Sequence, residues 1–532
     1  MVIKTRWTLV FHPFFFSVYA VLGVYSQNST DVPIQWIARP LLILLLLVIV
    51  AYYALQKTTH DARYAGLVAT LILFWLFFGH FERALFEKSP FWGTSWGILI
   101  AFFMWTSPLV LLGSPWTWRH ISNRSLVTSF LNLTSFFVVL LPVYTTGVSI
   151  IQTIDQTRKT EALNFVNLPV VLEDQSTKPD IYLIVLDAYG REDMVQEIYG
   201  FDNSEFIGFL QQKGFYVADR STANYPQTQL AFSSLLNMQY LDVYVKEFND
   251  TTNRGVFREH VHHSAIRKLL QEQDYRFVAL PSPTLLTQIR DADIYLSANG
   301  LDINEFEASL IASTVIGVAV ESWGIDLPVM SYELHRKYTV FSLDQLRKIP
   351  EIPGPKFVLA HIMLPHPPFI FDGDGDFAAP DYPYVMWDAS LFPGSTEEYQ
   401  KGYTAQMTFL NRKIMDVLSD LLTHSPIPPI IILQGDHGPG AFYDVNQLSN
   451  SCLQERFSIL NAYYFPDGDY SLVYPSITPV NSFRVILNKY FGAQLDLLED
   501  KNYYASWSSP YLYTDVTTNV DLPCSISEEG MH

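Results

Sequence analysis

Cysteine is almost missing from this chain. Two residues in 532, Cys452 and Cys524, exclude a disulfide scaffold and a cysteine-rich metal cluster. One disulfide between them is possible in an oxidising compartment, and two free thiols are the alternative. Positive charge is short as well. With 34 Lys and Arg against 53 Asp and Glu the net charge is −19. No basic stripe exists to neutralise a polyanion, which excludes nucleic acid as the main partner. A small anionic substrate stays compatible, because a bound metal can supply the local positive charge. Acidic residues are themselves scarce in residues 1–150, and no internal repeat or low-complexity tract is evident.

What fills residues 1–150 is Leu, Phe, Val and Trp. Five apolar stretches, near 8–26, 40–56, 64–80, 94–113 and 126–149, are each about long enough to cross 30 Å of hydrocarbon as a helix. The plainest is RPLLILLLLVIVAYYAL (39–55). Four comparable stretches follow the first, which argues against a cleaved signal peptide. With the N-terminus cytoplasmic, the inner positions carry Lys4, Arg6, Lys57, Arg63, Arg119 and Arg124, and the outer loops only Arg39, Arg83 and Lys88. That bias places the N-terminus inside and everything after residue 150 outside the cytoplasm of a plasma or inner membrane. The expected division is a transmembrane domain over 1–149, a linker over 150–178 punctuated by Pro169 and Pro179, and an outer domain over 179–532. A shorter apolar run, SLIASTVIGVA (309–319), reads either as a core helix of that outer domain or as a segment lying against the bilayer.

The outer part reads as α/β. DIYLIVLDAYG (180–190) opens with a continuous apolar run, the pattern of a parallel strand buried on both faces. Helical NSEFIGFLQQKG precedes FYVADRS, SAIRKLLQEQ precedes YRFVALP, and YTAQMTFLNRKIMDVLSDLL precedes PPIIILQGDHG. Strands alternating with helices predict a largely parallel central sheet, with ligands beyond the carboxyl ends of the strands. Two acids sit at such ends, Asp187 after IYLIVL and Asp436 after IIILQG.

Asp436 and His437 lie in GDHGPG (435–440), where carboxylate oxygen and imidazole nitrogen together suit a borderline divalent metal. Glycines on either side allow a sharp turn. Asp187 ends a buried strand, where a lone carboxylate carries a desolvation cost that a metal would offset. In NYPQTQLAFSSLLNMQYL (224–241), Thr228 stands where a helix begins. A hydroxyl there is either a helix cap or, beside a cation, an activated nucleophile facing backbone N–H groups.

This segment resembles the alkaline phosphatase/sulfatase superfamily, whose sulfatase pattern reads C-x-P-S-R-x-S-L-L-x-G-x-Y. Thr228 takes the nucleophile position, Ser234, Leu235 and Leu236 match S-L-L, and Tyr240 matches the tyrosine. Cysteine at 228 and the following Pro-Ser-Arg are absent, so the formylglycine of the usual sulfatases cannot form. Threonine at that position, after five N-terminal spans, is similar to the lipoteichoic acid synthases and phosphoethanolamine transferases. The resemblance covers roughly 179–495 and implies a metal site of Asp187, Thr228, Asp436 and His437. In AHIMLPHPPFIF (360–371) it implies His366 as substrate-binding donor or general acid, with His361 second. Arg456, in QERFSIL, can clamp an oxyanion or sit in a surface ion pair. Two-metal members also use a late histidine, and none stands between His437 and His532, so one ion is expected, Mn²⁺ for preference, with Zn²⁺ or Mg²⁺ also fitting an oxygen-rich set.

The implied activity is a phosphotransferase working from a membrane lipid donor to a glycan or glycolipid acceptor through a phospho-threonine. A hydrolase of phosphate or sulfate esters keeps the same site with water as acceptor. A non-catalytic scaffold keeps only the fold.

Overall fold

The computed structural model describes residues 9–524, apart from 29–31, 33, 87–88, 163–171, 174–176, 243–251, 298–302, 324–330, 379, 381 and 383. The chain divides into two compact units, one of residues 1–155 with 303–329, the other of 156–302 with 330–532.

The first unit is helical. Three helical stretches, Ile34–Thr59, Ser95–Gly113 and Arg124–Gln152, are long and apolar enough to cross a membrane. The expected spans near 8–26 and 64–80 appear as the shorter helices His12–Asn28 and Ala62–Leu76. Along the helix Ala38–Thr59, Leu42, Leu46, Leu47, Val50 and Tyr53 face outward, while Leu44, Val48 and Tyr52 are buried. Apolar residues on all sides of a helix need an apolar surrounding. Asp61 starts the next helix by accepting from the N–H groups of Arg63 and Tyr64. The helix Arg124–Ala162 continues into the region expected as linker, where Gln156, Arg158, Lys159, Glu161 and Ala162 are good helix formers and neither Gly nor Pro interrupts the tail.

The run at 309–319 belongs to this unit. It forms the helices Glu305–Ala312 and Val315–Trp323, and Phe306 and Leu310 join a core with Phe16, Val21 and Tyr25. Asn304 and Glu307 make a capping box, and the Glu307 carboxylate also takes both arms of Arg39. A Cβ at Gly79 would press on the Ser313 backbone, so this approach needs glycine. A sequence window of this length cannot separate a core helix from a bundle helix; the partners decide it.

The second unit is built on a seven-stranded sheet. Its strands are β1 (Ile181–Leu186), β2 (Tyr216–Val217), β3 (Arg276–Ala279), β4 (Ile294–Tyr295), β5 (Lys356–Ile362), β6 (Ile430–Gly435) and β7 (Asn461–Tyr464), in the order β2-β7-β6-β1-β5-β3-β4. β1 lies at the centre, parallel to β5 and β6, with Leu186 beside Ile362 and Gly435. The registers bring the ends of all three strands to one edge. β7 runs antiparallel to β6, so the sheet is mostly rather than wholly parallel. FYVADRS supplies only two paired residues, because it is an edge strand against β7. One apolar layer, including Leu410, Ile414 and Leu418 of the helix Thr396–His424, covers one face. Phe232, Leu235, Leu236 and Phe483 cover the other.

Candidate metal centre

β1 ends in Asp187 and β6 is followed by Asp436 and His437, and the central register sets them side by side. Ala188, with φ of 63°, turns the chain sharply after Asp187. Its N–H donates to Asp436 Oδ1 at 3.1 Å, tying one strand end to the other. A Cβ at Gly435 would collide with the Tyr189 carbonyl, and one at Gly438 with that of Glu455. Glycine is therefore required at both for the backbones to come this close.

Asp187, Asp436 and His437 each offer a ligand atom, all within 4.8 Å of one another, and all three are buried. Each ligand is also anchored from behind. His361 Nε2 is 3.1 Å from Asp187 Oδ2, and the His437 Nδ1–H donates to the Gly438 carbonyl at 2.9 Å. The atoms left over face inward. Asp187 Oδ1 and Asp436 Oδ2 are buried without a hydrogen-bond partner and lie 3.7 and 3.5 Å from His437 Nε2. Two unsatisfied carboxylate oxygens beside an imidazole lone pair are costly without a counter-charge, and this donor set fits a divalent cation.

Thr228 is the first residue of the helix Thr228–Asn237, with Gln227 in the capping position. Its Oγ1 lies 3.1 Å from His437 Nε2, so the hydroxyl is turned to the carboxylate cluster. His366 follows β5, and its N–H donates to the Asp187 carbonyl at 3.2 Å. Its Nδ1 is held by the Pro367 carbonyl, and its Nε2 is 3.8 Å from Asp388 Oδ2. The four expected ligands and His366 thus gather at one sheet edge.

Two placements differ from expectation. His361, expected as a second substrate contact, has both ring nitrogens taken, by Asp187 and, at 2.9 Å, by Thr287 Oγ1. Its place in β5 beside β1 aims it at Asp187. Arg456 is no surface ion pair. Its side chain is 5 % exposed, with Nη1 on Asp388 Oδ2 at 2.6 Å, Nε on the Pro226 carbonyl and Nη2 3.3 Å from His437 Nε2.

Asp388 is the residue that sequence reasoning missed. Its Oδ1 accepts from the Tyr399 hydroxyl at 2.6 Å, and that same oxygen of Tyr399 accepts from the Gly440 N–H. It lies in an irregular stretch before the helix Thr396–His424, with no periodicity or motif to single it out. Cys452 and Cys524 form a disulfide, and Cys452 opens the short helix that carries Arg456.

Electrostatics divides the site. Burial alone would raise Asp187, but His366, His361 and His437 outweigh it and hold its carboxyl below the usual range. Burial likewise opposes ionised Asp388, and Arg456 outweighs it, with His366 and His437 adding to the effect. Burial and Arg456 push the His437 imidazole below its ordinary value, against the opposing charges of Asp436, Asp187 and Asp388, and a metal ligand needs the neutral form. Burial would lower His366 too, but the charges of Asp187 and Asp388 and the Pro367 carbonyl raise it, so it holds its proton more firmly.

Glu455 is pushed up to about 7 by burial, with Asp388 adding to the rise and Tyr199, the Phe442 N–H and Arg456 opposing it. Below the unfolded value of 4.5 both states carry the proton and nothing is lost. Between 4.5 and about 7 the unfolded chain releases it while the folded chain keeps it, so stability falls as pH rises through that window. The loss levels off above it at roughly 3 kcal/mol. Glu455→Gln should therefore match wild type near pH 4.5 and unfold several degrees higher at pH 8. Equal thermal midpoints at pH 8 would contradict the assignment.

No family model matches the chain, and no curated protein matches it. Solved structures with a similar chain path include the C-terminal periplasmic domain of EcEptC from Escherichia coli in complex with Zn. It is 11% identical, covers 66% of this chain and 96% of its own, and has a TM-score of 0.44. A second is the integral membrane protein lipooligosaccharide phosphoethanolamine transferase A (EptA) from Neisseria meningitidis, 9% identical over 90% of this chain and 95% of its own, at 0.40. A third is BT1596, a 2-O GAG sulfatase, 13% identical over 62% of this chain and 73% of its own, at 0.37. The second is described as a phosphoethanolamine transferase and the third as a sulfatase. At so low an overlap the likenesses carry no argument about activity, which rests on the residues themselves.

Proposed function

We propose that this chain is a membrane-anchored, metal-dependent phosphotransferase that moves a lipid head-group phosphoryl unit through Thr228 to a glycan or glycolipid hydroxyl. One observation carries the reading. A helix-opening hydroxyl, Thr228 Oγ1, is aimed at a buried imidazole and two partnerless carboxylate oxygens. A capping threonine needs no such neighbours.

Asp187, Asp436, His437 and Thr228 would hold one divalent ion, Mn²⁺ for preference. When bound, it supplies positive charge beside the hydroxyl and the phosphoryl oxygens. Thr228 Oγ1 attacks phosphorus and its proton passes to solvent. The bond to the lipid oxygen breaks, and His366, whose neighbours favour its protonated form, donates a proton to that oxygen. N–H groups at the helix start and the Arg456 fork face the charge that builds on the phosphoryl oxygens. An acceptor hydroxyl then gives its proton to His366 as it attacks, and Thr228 departs and takes a proton back from solvent.

Five N-terminal spans with a cytoplasmic N-terminus would put the second unit outside the cytoplasm, within reach of lipid head groups. Support comes from the three long apolar helices and from the loop bias of Lys and Arg.

Intact mass tests the nucleophile. The detergent-solubilised chain, incubated with Mn²⁺ and mixed phosphatidylethanolamine and phosphatidylglycerol, should gain a phosphoryl-group adduct, and Thr228→Ala should not. The added mass identifies the group. An adduct that survives Thr228→Ala, or none on wild type with the ion bound, would sink this reading.

A further inference from the structure

Beside the metal centre lies a cavity of about 1140 Å³. It is enclosed by the segments around 389–399, 441–453 and 516–524, and the Cys452–Cys524 disulfide joins the last two. The described residues on its wall include no Lys, Arg or His. One acid, Asp444, lines it, with Oδ1 engaged by the N–H groups of Asn446 and Gln447. A phosphate or carboxylate would find no counter-charge there and one repelling carboxylate. Phe392, Phe442 and Tyr443 supply aromatic surface, and Ser390, Asn450 and Asn519 supply neutral donors and acceptors. This mixture suits an uncharged polyhydroxyl ligand, whose C–H faces pack on rings and whose hydroxyls exchange hydrogen bonds with amides.

The cavity and the metal centre share a wall. Tyr443 lies under the Arg456 guanidinium, 5.0 Å from ring centre to carbon. Tyr399 lines the cavity and donates its hydroxyl proton to Asp388, and Ala389, the next residue, lines the cavity too. A ligand seated there ends next to the Asp388–Arg456 pair.

We infer that this cavity is the acceptor subsite and that it takes a neutral sugar, either of a soluble glycan or of a glycolipid head group. The inference rests on the transferase reading above and gives its acceptor a place and a chemical class. The disulfide holds two of the three walls in register before the sugar arrives, which lowers the ordering cost of binding.

The test uses the full detergent-solubilised chain with Mn²⁺. Saturation-transfer NMR is run with neutral malto-, cello- and chito-oligosaccharides, beside an anionic hyaluronan oligosaccharide and a short-chain glucosyl glycolipid. At least one neutral sugar should bind and the anionic one should not; preference for the glycolipid over the free oligosaccharide would identify the membrane source. Leu448→Trp and Leu522→Trp, which narrow the cavity away from the metal centre, should each weaken that binding at least tenfold. Both should leave the Thr228 adduct unchanged. Sugar binding unaffected by both substitutions, binding of the anionic probe alone, or no binding by any neutral sugar would overturn the inference. Sugar binding that follows these substitutions while no adduct forms would leave the subsite standing and remove the transferase reading.

Discussion

Asp187→Asn should cost the protein its cation response. Wild type, titrated with Mn²⁺ to a hundred times its dissociation constant, should gain about 2.7 kcal/mol through binding to the folded state alone. The rise in thermal midpoint should be several degrees. Asp187 has one oxygen held by His361 and the other bare, so the substitution removes a ligand charge without removing a packing contact. Loss of an outer partner of a metal ligand typically lowers affinity 10–100-fold, and loss of the ligand itself should exceed about 100-fold. The midpoint should then stay flat over the same titration, and adduct formation should fall at least as far. A full thermal response to Mn²⁺ after Asp187→Asn would show that the ion binds elsewhere.

Asp388→Asn should be the most destabilising single change at the site. Arg456 is buried, and Asp388 is its carboxylate partner, at 2.6 Å. Removing one member of a buried pair strands the other charge, at a cost of about 3–5 kcal/mol. Replacing both members by apolar residues of similar size is far milder. Asp388→Leu combined with Arg456→Met should therefore regain most of the midpoint lost by Asp388→Asn. That double variant should still lack turnover, because the fork beside His437 is gone. Measured together, midpoint and rate separate the structural from the catalytic part of the pair. If Asp388→Asn unfolds with wild type, the pair is not the anchor that its burial implies.

Much of this molecule was legible in local sequence. IYLIVL and IIILQG are continuous apolar runs because β1 and β6 are covered on both faces, and their terminal acids stand out against those runs. Thr228 was marked by its place before S-L-L, where the helix does begin. His366 was marked by the Pro-rich string after an apolar strand. Other features carried no local signal. The run at 309–319 is apolar in either setting, and only its packing on Phe16 and Tyr25, with Glu307 on Arg39, assigns it to the helical unit. The short strands β2 and β4 have two paired residues each, too few for any period to show.

The sequence by itself determined the elements: which stretches shun water on every side, which strands are buried, and which of them end in a carboxylate. Those properties reside in consecutive residues and in the free energy of burying them. The surroundings of His361, Asp388 and Arg456 arise only on folding. His361 became the support of Asp187 because β5 lies in register beside β1. Asp388 and Arg456, 68 positions apart, became partners because an irregular stretch and a short helix meet beside Tyr399 and Tyr443. An ion pair is set by distance and desolvation, and neither quantity is written in the order of residues along a chain.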